Sequence, residues 1–512
     1  MSLNLKNIES AFDDIKFTYI VTLVFFVLTL FNILHHVMWR DELEAWMIAR
    51  DASSLHELVE NMRYQGHPML WHLILYPITK ITRNPVAMQM VHLVIATASV
   101  FVFLRFSPFS KLLKGLFVFG YFPFFEYATI SRNYAIGILF LFLFCAYFGK
   151  DFKNRNYIIL SIILFLMCQC NALSAVLAIA LAITLFFEPM FFKEFTSYKS
   201  WRFYTAILIF TAGLAISIIQ MKPPADSRFY NIVISDPDIP KKIADQVTEM
   251  WNVFVPIPRI QMNFWQTNFI RYLPMSLETI YAIRLILSSG LFLFILFSIF
   301  RKKIPAFYYV IATTGVAAFN CIFFNGFLRH KGHYYVVFVT AMWLYNYYPA
   351  PKTTVNAFLS LFERNQNSFI TTIFSLGIIA ALMANTIGFI YPFSECKATA
   401  DYIKQNHWQN MPIAGHWFYA ASGVSAYLDR PLYYPVIDKI GTFNVWKAVK
   451  NDQVDVLMQV DKYRDFVKSD VLFIVNEPLP DELVRLTGLI PLKQFTQSVV
   501  KSEEFYLYMI KY

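Results

Sequence analysis

Apolar runs separated by short charged connections make up most of this chain. Eleven of these runs approach the length of about 20 residues that a helix needs to cross a bilayer. The predicted spans are roughly 17–38, 86–104, 112–129, 134–149, 156–170, 172–192, 203–221, 279–300, 304–325, 333–348 and 368–391. The pattern predicts a polytopic α-helical membrane protein with about 11 transmembrane helices.

Basic residues lie in alternate connections, and this sets the predicted orientation. Lysine and arginine in short loops favour the cytoplasmic side. With a cytoplasmic N-terminus, each inside connection carries at least two basic residues. They are Arg105, Lys111 and Lys114; Lys150, Lys153 and Arg155; Lys193, Lys199 and Arg202; Arg301, Lys302 and Lys303; and Lys352 and Arg364. The C-terminus is therefore predicted to be extracytoplasmic.

The side of the membrane on which every later connection lies depends on whether one short apolar segment, residues 68–81, crosses the membrane. It contains His72 and Pro77 and is short for a membrane span. If it crossed the membrane, every later connection would change sides and the basic triplet 301–303 would face outward. We therefore expect this segment to be an interfacial helix in the first external loop.

The composition supports a membrane protein and narrows its class. The 512 residues are 57% hydrophobic and 15% charged, whereas soluble proteins are about a quarter charged. The placement of the basic residues in inside loops explains the net charge of +10, so it does not indicate nucleic acid. The five cysteines lie in or beside apolar runs, and we expect neither disulfides nor a cysteine metal site. The first run is interpreted as an uncleaved signal anchor.

Two long external segments interrupt the apolar pattern. Residues 222–276 connect two predicted spans, and a loop of that length is usually functional. After residue 391 the composition becomes that of a soluble protein, and β-like runs alternate there with helical patterns. The β-like runs are 412–416, 471–475 and 504–510, and the helical patterns are 398–406 and 480–488. We divide the chain into a transmembrane catalytic domain, 1–391, and a small extracytoplasmic α/β domain, 392–512.

Three acids, Asp41, Glu42 and Glu44, follow the first predicted span directly. Charges this close to hydrocarbon are costly and tend to mark function. On a helix, Asp41 and Glu44 share a face. An acid-rich first turn also stabilises a helix N-terminus, which is the structural alternative. The functional interpretation is that one carboxylate is a general base, with its proton affinity raised by partial desolvation.

Two further motifs lie on the same predicted face as the acids. His67 stands before the interfacial helix, where it either begins that helix or orients an acceptor or phosphate. Residues 124–137 carry Glu126, Arg132 and Tyr134 in the second external loop. Glu126 and Arg132 could form a structural salt bridge, but their position on this face favours a role in a site.

The densest basic cluster on the predicted outer face is Arg329, His330, Lys331 and His333. Positive charge outside runs against the insertion preference and needs a reason. A phosphate at headgroup depth supplies one, because arginine and lysine make strong bonds to phosphate oxygens. Plain contact with lipid headgroups is the alternative.

Carboxylates and a basic cluster on one membrane face suit a reaction with an anionic leaving group and an acceptor that loses a proton. Transfer of a sugar from a lipid phosphate has this chemistry. One of the three carboxylates would deprotonate the acceptor hydroxyl, and the basic cluster would stabilise the departing phosphate. A single displacement would invert the anomeric carbon.

At these residues the chain resembles the GT-C superfamily of integral-membrane glycosyltransferases. Its lipid-carrier-dependent members include the protein O-mannosyltransferases and the aminoarabinose transferases. The matching features are the acidic pair after the first span, a His-Pro before an interfacial helix, an external SR-x-Y turn, a late basic loop and a soluble tail. The resemblance covers roughly residues 15–390.

The resemblance implies roles for individual residues. Asp41 matches the catalytic acid of the family, with Glu42 beside it, and Arg329 with Lys331 match lipid-phosphate binding. The other residues expected to bind substrate or donor are Glu44, His67, Glu126, Arg132, Tyr134, His330 and His333. Some members carry an acidic metal-binding motif in the second external loop. Here only Glu126 is acidic in that loop, which puts metal dependence in doubt. We expect no required cofactor, and a divalent metal stays an open alternative.

The sequence therefore predicts an inverting glycosyltransferase that uses a polyprenyl-phosphate hexose or pentose. Its acceptor would be a glycan, a lipid or a protein at the extracytoplasmic face of a bacterial inner membrane. The main alternative is a transporter or flippase of a lipid-linked sugar, but the chain lacks two related halves and its charges cluster on one face. A membrane acyl- or phosphotransferase is a second alternative, and a scaffold does not explain the charges beside the membrane.

Overall fold

The computed structural model describes residues 5–149, 155–191, 200–230, 239–349, 356–416, 418–435, 437–448 and 456–512. Within these ranges, α-helices occur along the whole length of the chain, and six strands near the C-terminus form one sheet. The helices are α1 Leu5–His35, α2 Arg40–Asp51, α3 Leu55–Met62, α4 Leu70–Thr79, α5 Val86–Phe106, α6 Lys111–Val118, α7 Tyr134–Phe148, α8 Tyr157–Cys168, α9 Ala172–Phe191, α10 Trp201–Met221, α11 Ile239–Phe254, α12 Leu277–Ile299, α13 Lys303–Ile322, α14 Leu328–Lys331, α15 His333–Tyr345, α16 Ala357–Ile390, α17 Cys396–Gln405, α18 Phe418–Leu428, α19 Val456–Val467 and α20 Asp481–Thr487.

Seven of the described helices are long and apolar enough to cross a membrane, and the chain is an integral membrane protein. They are α1, α5, α9, α10, α12, α13 and α16. The predicted count of 11 spans is not confirmed. The predicted spans 112–129, 134–149, 156–170 and 333–348 hold helices of fewer than 18 residues.

The predicted third span, 112–129, shows why an apolar run need not form one long helix. Its first helix, α6, ends at Val118, and Gly120 has an extended conformation. A π-helix then runs from Tyr121 to Glu126. Gly120 and Gly377 lie close together, since a Cβ built on Gly377 would be in ordinary van der Waals contact with the Cα of Gly120, at 3.6 Å. The break brings this segment against α16.

The short apolar segment 68–81 forms the short helix α4, as its length predicted. Trp71 and Leu75 are buried on one side, and Thr79 donates through its hydroxyl to the carbonyl of Ala49 at 3.2 Å. Helix α4 therefore packs along α2. Its position in the membrane interface stays a prediction.

Part of the evidence for the predicted orientation lies outside the described residues. This is true of Lys150, Lys153, Lys193, Lys199 and Lys352, and of residues 231–238 in the long external segment. The orientation of the chain in the membrane therefore stays a prediction.

The C-terminal sheet consists of β1 Ile413–Gly415, β2 Leu432–Tyr434, β3 Lys439–Gly441, β4 Val471–Val475, β5 Ile490–Phe495 and β6 Phe505–Ile510. Their order is β3-β2-β1-β4-β6-β5. Strand β1 is parallel to β2 and β4, whereas β6 is antiparallel to β4 and β5. The three predicted β-like runs became β1, β4 and β6, which lie inside the sheet, and the two helical patterns became α17 and α20. This part of the fold prediction is confirmed.

Helix α2 is enclosed by the apolar helix α4 on one side and by α18 of the C-terminal region on another. Leu43 and Trp46 of α2 are fully buried in a core that continues into α18 and the sheet. Polar contacts reinforce this attachment, since Arg40 pairs with Glu503 at 3.1 Å and Thr442 donates to Asp51 at 2.5 Å. The C-terminal region thus fixes the position of the helix that carries the three acids.

Candidate active site at the start of α2

The turn between α1 and α2 is organised by Glu42. One of its carboxylate oxygens accepts from the backbone N–H of Trp39 at 3.2 Å and contacts Nε2 of His36 at 2.8 Å. The other accepts from the backbone N–H of Ser131 at 2.6 Å. An acid three residues after the N-cap is well placed for the first of these bonds. Because Glu42 is fully buried and both oxygens are occupied, its geometry favours holding the first and second loops together over a direct catalytic role.

Asp41, one residue earlier, points to a different partner. Its Oδ2 accepts from the guanidinium of Arg329 at 2.7 Å, and its side chain is 25% exposed. Arg132 donates to the backbone carbonyl of Asp41. The structure thus brings together the acidic turn, the second loop and the late basic loop, which the predicted topology placed on one face.

The charge state of Asp41 follows from these neighbours. Burial by itself raises the pKa of the carboxyl, but the positive charges of Arg329, Arg132 and another arginine outweigh this and lower the pKa below its ordinary value of 3.8. Asp41 is therefore ionised at neutral pH. An ionised carboxylate beside the membrane surface can accept a proton or orient a hydroxyl group.

Arg329 lies in an aromatic cage. Its guanidinium carbon is 5.1 Å from the ring centroid of Trp39, 5.4 Å from that of Trp265 and 5.1 Å from that of Phe327. The side chain is 5% exposed, and its Nε and NH1 groups have no hydrogen-bond partner among the described residues. Buried donors without partners are costly. They are well suited to oxygens of a phosphate, which arginine binds through parallel N–H groups.

Glu126 contacts Trp265, one of the rings of this cage. The salt bridge with Arg132 that the sequence allowed does not form. Oε2 of Glu126 accepts from the indole N–H of Trp265 at 3.1 Å and from the hydroxyl of Tyr121 at 3.0 Å. Trp265 in turn stacks on Arg329. Glu126 is buried, so its position indicates that it orients the cage rather than contacting a substrate.

Glu44 lies one turn along α2 from Asp41 and has a contrasting environment. Burial and the nearby Asp41 charge raise its pKa to about 8. The amide of Gln65 is 3.4 Å from its Oε1 and also donates to the backbone carbonyl of Asn444 at 2.9 Å. Two carboxylates on one face of α2 therefore hold opposite charge states at neutral pH, with Asp41 ionised and Glu44 protonated.

His67 and Asn444 add unpaired polar atoms beside these carboxylates. Burial and the charge of Arg132 lower the pKa of His67 to about 4, so its imidazole is neutral. Its buried Nδ1 has no hydrogen-bond partner among the described residues, and neither amide atom of the Asn444 side chain has one. Asn444 is 2% exposed and comes from the C-terminal region. These atoms can accept hydrogen bonds from, or donate them to, a polar ligand.

The basic loop 329–333 does not form one cluster. Arg329 turns toward Asp41, whereas Nε2 of His330 lies 2.8 Å from the hydroxyl of Tyr134. Nδ1 of His330 accepts from a backbone N–H, so the proton of this ring is on Nε2 and is donated to Tyr134. His333 bonds to the backbone carbonyl of His330 at 2.8 Å.

Lys331 turns to the opposite side of α14, where its Nζ is 3.5 Å from Glu249. Arg329 and Lys331 were both predicted to bind the lipid phosphate, but in the structure they contact different carboxylates on opposite sides of α14. Residues that are adjacent in sequence point in different directions around a single helical turn.

Several residues of this site carried no clear sequence signal. Gln65 and Asn444 are isolated amides, and Asn444 lies in the tail, far from α2 in sequence. Trp265 belongs to the long external segment, where aromatic and polar residues were the only indication. Arg40 bonds to Ser502 and stacks on Tyr419, so the tail contributes to this region through more than one residue.

Metal binding has no support from clustered ligands in the described part of the chain. Within it, no group of three or more histidine, cysteine, aspartate or glutamate side chains is placed to hold a metal ion.

Comparisons with known proteins identify the fold. No family model and no curated protein matches the sequence. Among solved structures, the chain is similar to ArnT from Cupriavidus metallidurans bound to undecaprenyl phosphate, with a TM-score of 0.51 and 10% identity over 97% of each chain. ArnT from the same organism in the apo state matches with a TM-score of 0.49 and 12% identity over 97% of each chain. At 10% identity, the likeness to the first of these structures shows the fold alone.

Proposed function

We propose that this protein is an inverting glycosyltransferase that moves a sugar from a polyprenyl-phosphate donor to an acceptor hydroxyl. One observation carries the proposal: Asp41, ionised, contacts a caged arginine that keeps two donors unused. This arrangement combines a proton acceptor with a binding group for an anion. ArnT, whose fold is similar, was crystallised with undecaprenyl phosphate.

In the proposed reaction, the Asp41 carboxylate accepts the proton of the acceptor hydroxyl. The acceptor oxygen attacks the anomeric carbon from the face opposite the phosphate, so that the new C–O bond forms as the bond to the phosphate oxygen breaks. The leaving polyprenyl phosphate gains one negative charge, and Arg329 stabilises it through Nε and NH1. The proton on Asp41 then passes to solvent.

The neighbouring carboxylate, Glu44, has a complementary role in this proposal. Because it is protonated at neutral pH, it adds no second negative charge beside Asp41 and can donate a hydrogen bond to a sugar hydroxyl. Asn444 and His67 line the same region with unpaired polar atoms. The site is extracytoplasmic in the predicted topology, which places donor and acceptor at the outer face of an inner membrane.

The test is a membrane assay with polyprenyl-phosphate sugars and the variant Asp41→Asn. We expect transfer to fall by about 100-fold or more, because the amide cannot accept the proton. Binding of polyprenyl phosphate should be retained or tightened, because the variant removes a negative charge next to Arg329. Glu60→Gln is the matched control, since Glu60 is an exposed acid paired only with its neighbour Arg63 on the surface.

Two outcomes would refute the mechanism. One is unchanged transfer by the asparagine variant. The other is movement of a lipid-linked sugar across the membrane without formation of a glycosidic bond, which would identify a flippase.

A further inference from the structure

A second cluster of charges lies on the far side of α14 from Asp41. Glu249 of α11 is surrounded by three cations: Oε1 is 2.5 Å from Arg271 and 2.9 Å from Arg284, and Oε2 is 3.5 Å from Lys331. Arg284 belongs to the first turns of the membrane helix α12. The cluster therefore joins residues of α11, α12, α14 and the segment before α12.

The cluster has more positive charge than its own residues neutralise. Arg284 is 7% exposed and Lys331 is 8% exposed, so two of the cations are held away from water. Burial and the neighbouring arginines Arg271 and Arg284 lower the pKa of Lys331, while the attraction to Glu249 only partly offsets this effect. The buried Nε of Arg284 has no hydrogen-bond partner among the described residues. Buried cations in excess of their partners are unfavourable unless an anion joins them.

A cavity of about 390 Å³ opens beside these charges. Glu249, Arg271 and Arg284 line it together with Asp245, Thr248 and Asn325. Counting Asp245, the three cations still exceed the two acids. A cavity of this size is in the range that holds a small polar ligand or a headgroup.

The rim of this cavity is apolar. Leu277 at the start of α12 lines it and is 78% exposed, and Ile280 and Tyr281 of the same helix line it as well. Aromatic and aliphatic side chains at the end of a membrane helix are typical of the interface, where lipid chains meet headgroups. A free inorganic anion would gain nothing from this rim, whereas an amphiphile would contact both parts.

We propose that this pocket binds the phosphate headgroup of a membrane amphiphile, at a site separate from the one at Asp41. The headgroup oxygens would bond to Arg284 Nε and Arg271, and the hydrocarbon chain would lie along Leu277 and Tyr281. The ligand would be either a phospholipid or a phosphate-bearing lipid carrier, since both share this chemistry. The inference does not rest on the proposed glycosyl transfer.

The experiment measures ligand binding by native mass spectrometry of the full-length protein in neutral detergent. The probes are phosphatidic acid, polyprenyl phosphate, phosphatidylcholine and inorganic phosphate. The key variant is Arg271→Gln, and the matched control is Arg259→Gln, an exposed arginine of the same segment that lies over Tyr272. Arg329→Gln tests the other site, and Arg271→Lys, which loses the planar group that binds a phosphate through parallel donors, replaces the key variant if Arg271→Gln fails to fold.

We expect Arg271→Gln to weaken binding of at least one phosphate amphiphile by about tenfold, because it removes one charge-assisted contact. Arg259→Gln should bind like the wild type, and Arg329→Gln should retain binding in this pocket. A loss for phosphatidic acid alone identifies a phospholipid, and a loss for polyprenyl phosphate identifies the carrier.

Three results would overturn the inference. They are equal binding by Arg271→Gln and Arg259→Gln, a loss caused by Arg329→Gln instead of Arg271→Gln, and a preference for phosphatidylcholine. Binding of inorganic phosphate as tight as that of the amphiphiles would likewise exclude a role for the apolar rim. None of these measurements requires turnover, so they separate this inference from the proposed catalytic function.

Discussion

The two sides of the single helical turn α14 hold a cation in very different ways. On one side, Arg329 has one carboxylate partner, Asp41, and three aromatic rings around its guanidinium. On the other side, Lys331 shares the carboxylate of Glu249 with two arginines and has no such cage. The first arrangement is an ion pair without net charge, and two N–H groups of its arginine have no hydrogen-bond partner among the described residues. In the second, three cations surround the carboxylate of Glu249.

This difference indicates two tasks for the two sides. Aromatic faces stabilise a guanidinium without neutralising it, so Arg329 remains available to a second anion while it holds Asp41 in place. In the Glu249 cluster, the carboxylate of Glu249 limits the repulsion among three cations. An external anion would neutralise the positive charge that remains. A rigid pair suits a reacting centre, and an unbalanced cluster suits the binding of a headgroup.

Removing the carboxylate from the unbalanced side should produce the largest effect on stability. Glu249→Gln removes the carboxylate that contacts all three cations and leaves Asp245 as the remaining acid of the cavity, and we expect a loss of about 3–5 kcal/mol in the free energy of unfolding. The measurement is thermal unfolding in detergent, with and without phosphatidic acid, which should stabilise the variant more than the wild type.

Glu278→Gln is the control for this variant, because Glu278 is an exposed acid in the first turn of α12. A glutamine at position 249 that is neutral or stabilising would show that the three cations do not depend on this carboxylate.

On the caged side, Arg329→Lys should mainly affect the proposed activity. Lysine keeps the charge but loses the planar group that lies near both tryptophan rings and presents parallel donors. We expect transfer from polyprenyl-phosphate sugars to fall by about 100-fold, which corresponds to about 2.7 kcal/mol in the barrier. Arg63→Lys, at an exposed ion pair with Glu60, serves as the comparison. Full activity of the lysine variant would mean that positive charge alone is sufficient at this position.

The last expected effect concerns the pH dependence that Glu44 gives to the stability of the protein. Its pKa is raised to about 8 from an ordinary value of 4.5, so the folded protein binds this proton more tightly than the unfolded chain does. Stability from this group is therefore greatest below about pH 4.5 and falls as the pH rises toward about 8. Glutamine stays neutral and lacks this dependence.

We therefore expect the melting temperature of Glu44→Gln, relative to wild type, to increase between pH 5 and pH 8 and then level off. Glu60→Gln should show no such trend, because that acid is exposed. A difference that does not change with pH would contradict the protonated state of Glu44.

Much of the tail could be predicted from sequence, because its alternation of β-like and helical patterns is local. The runs 412–416, 471–475 and 504–510 each became a strand of the sheet. The count of membrane spans could not be predicted in the same way. Hydropathy measures how apolar a run is, but it does not record where a helix within that run ends, as α6 does at Val118 within the run 112–129.

The candidate site was predictable in its main residues and not in its arrangement. Topology alone placed Asp41 and Arg329 on one face, and the two are in contact. Glu42 follows Asp41 in sequence but contacts the backbone of Ser131, and Lys331 lies two residues after Arg329 but contacts Glu249. The reason is that successive side chains on a helix differ in direction by about 100° per residue. Trp265 and Asn444 come from distant segments and have no local pattern that marks them.

The sequence by itself determined that this is a membrane protein with a soluble α/β tail, that acids follow its first span, and that a basic loop occurs late in the chain. These are properties of composition and order, which a linear pattern records. The tertiary structure decided which of these charges meet. Asp41 pairs with Arg329, Lys331 pairs with Glu249, and Gln65 links Glu44 to the backbone carbonyl of Asn444. These contacts depend on distances in space, which the spacing of residues along the sequence does not fix.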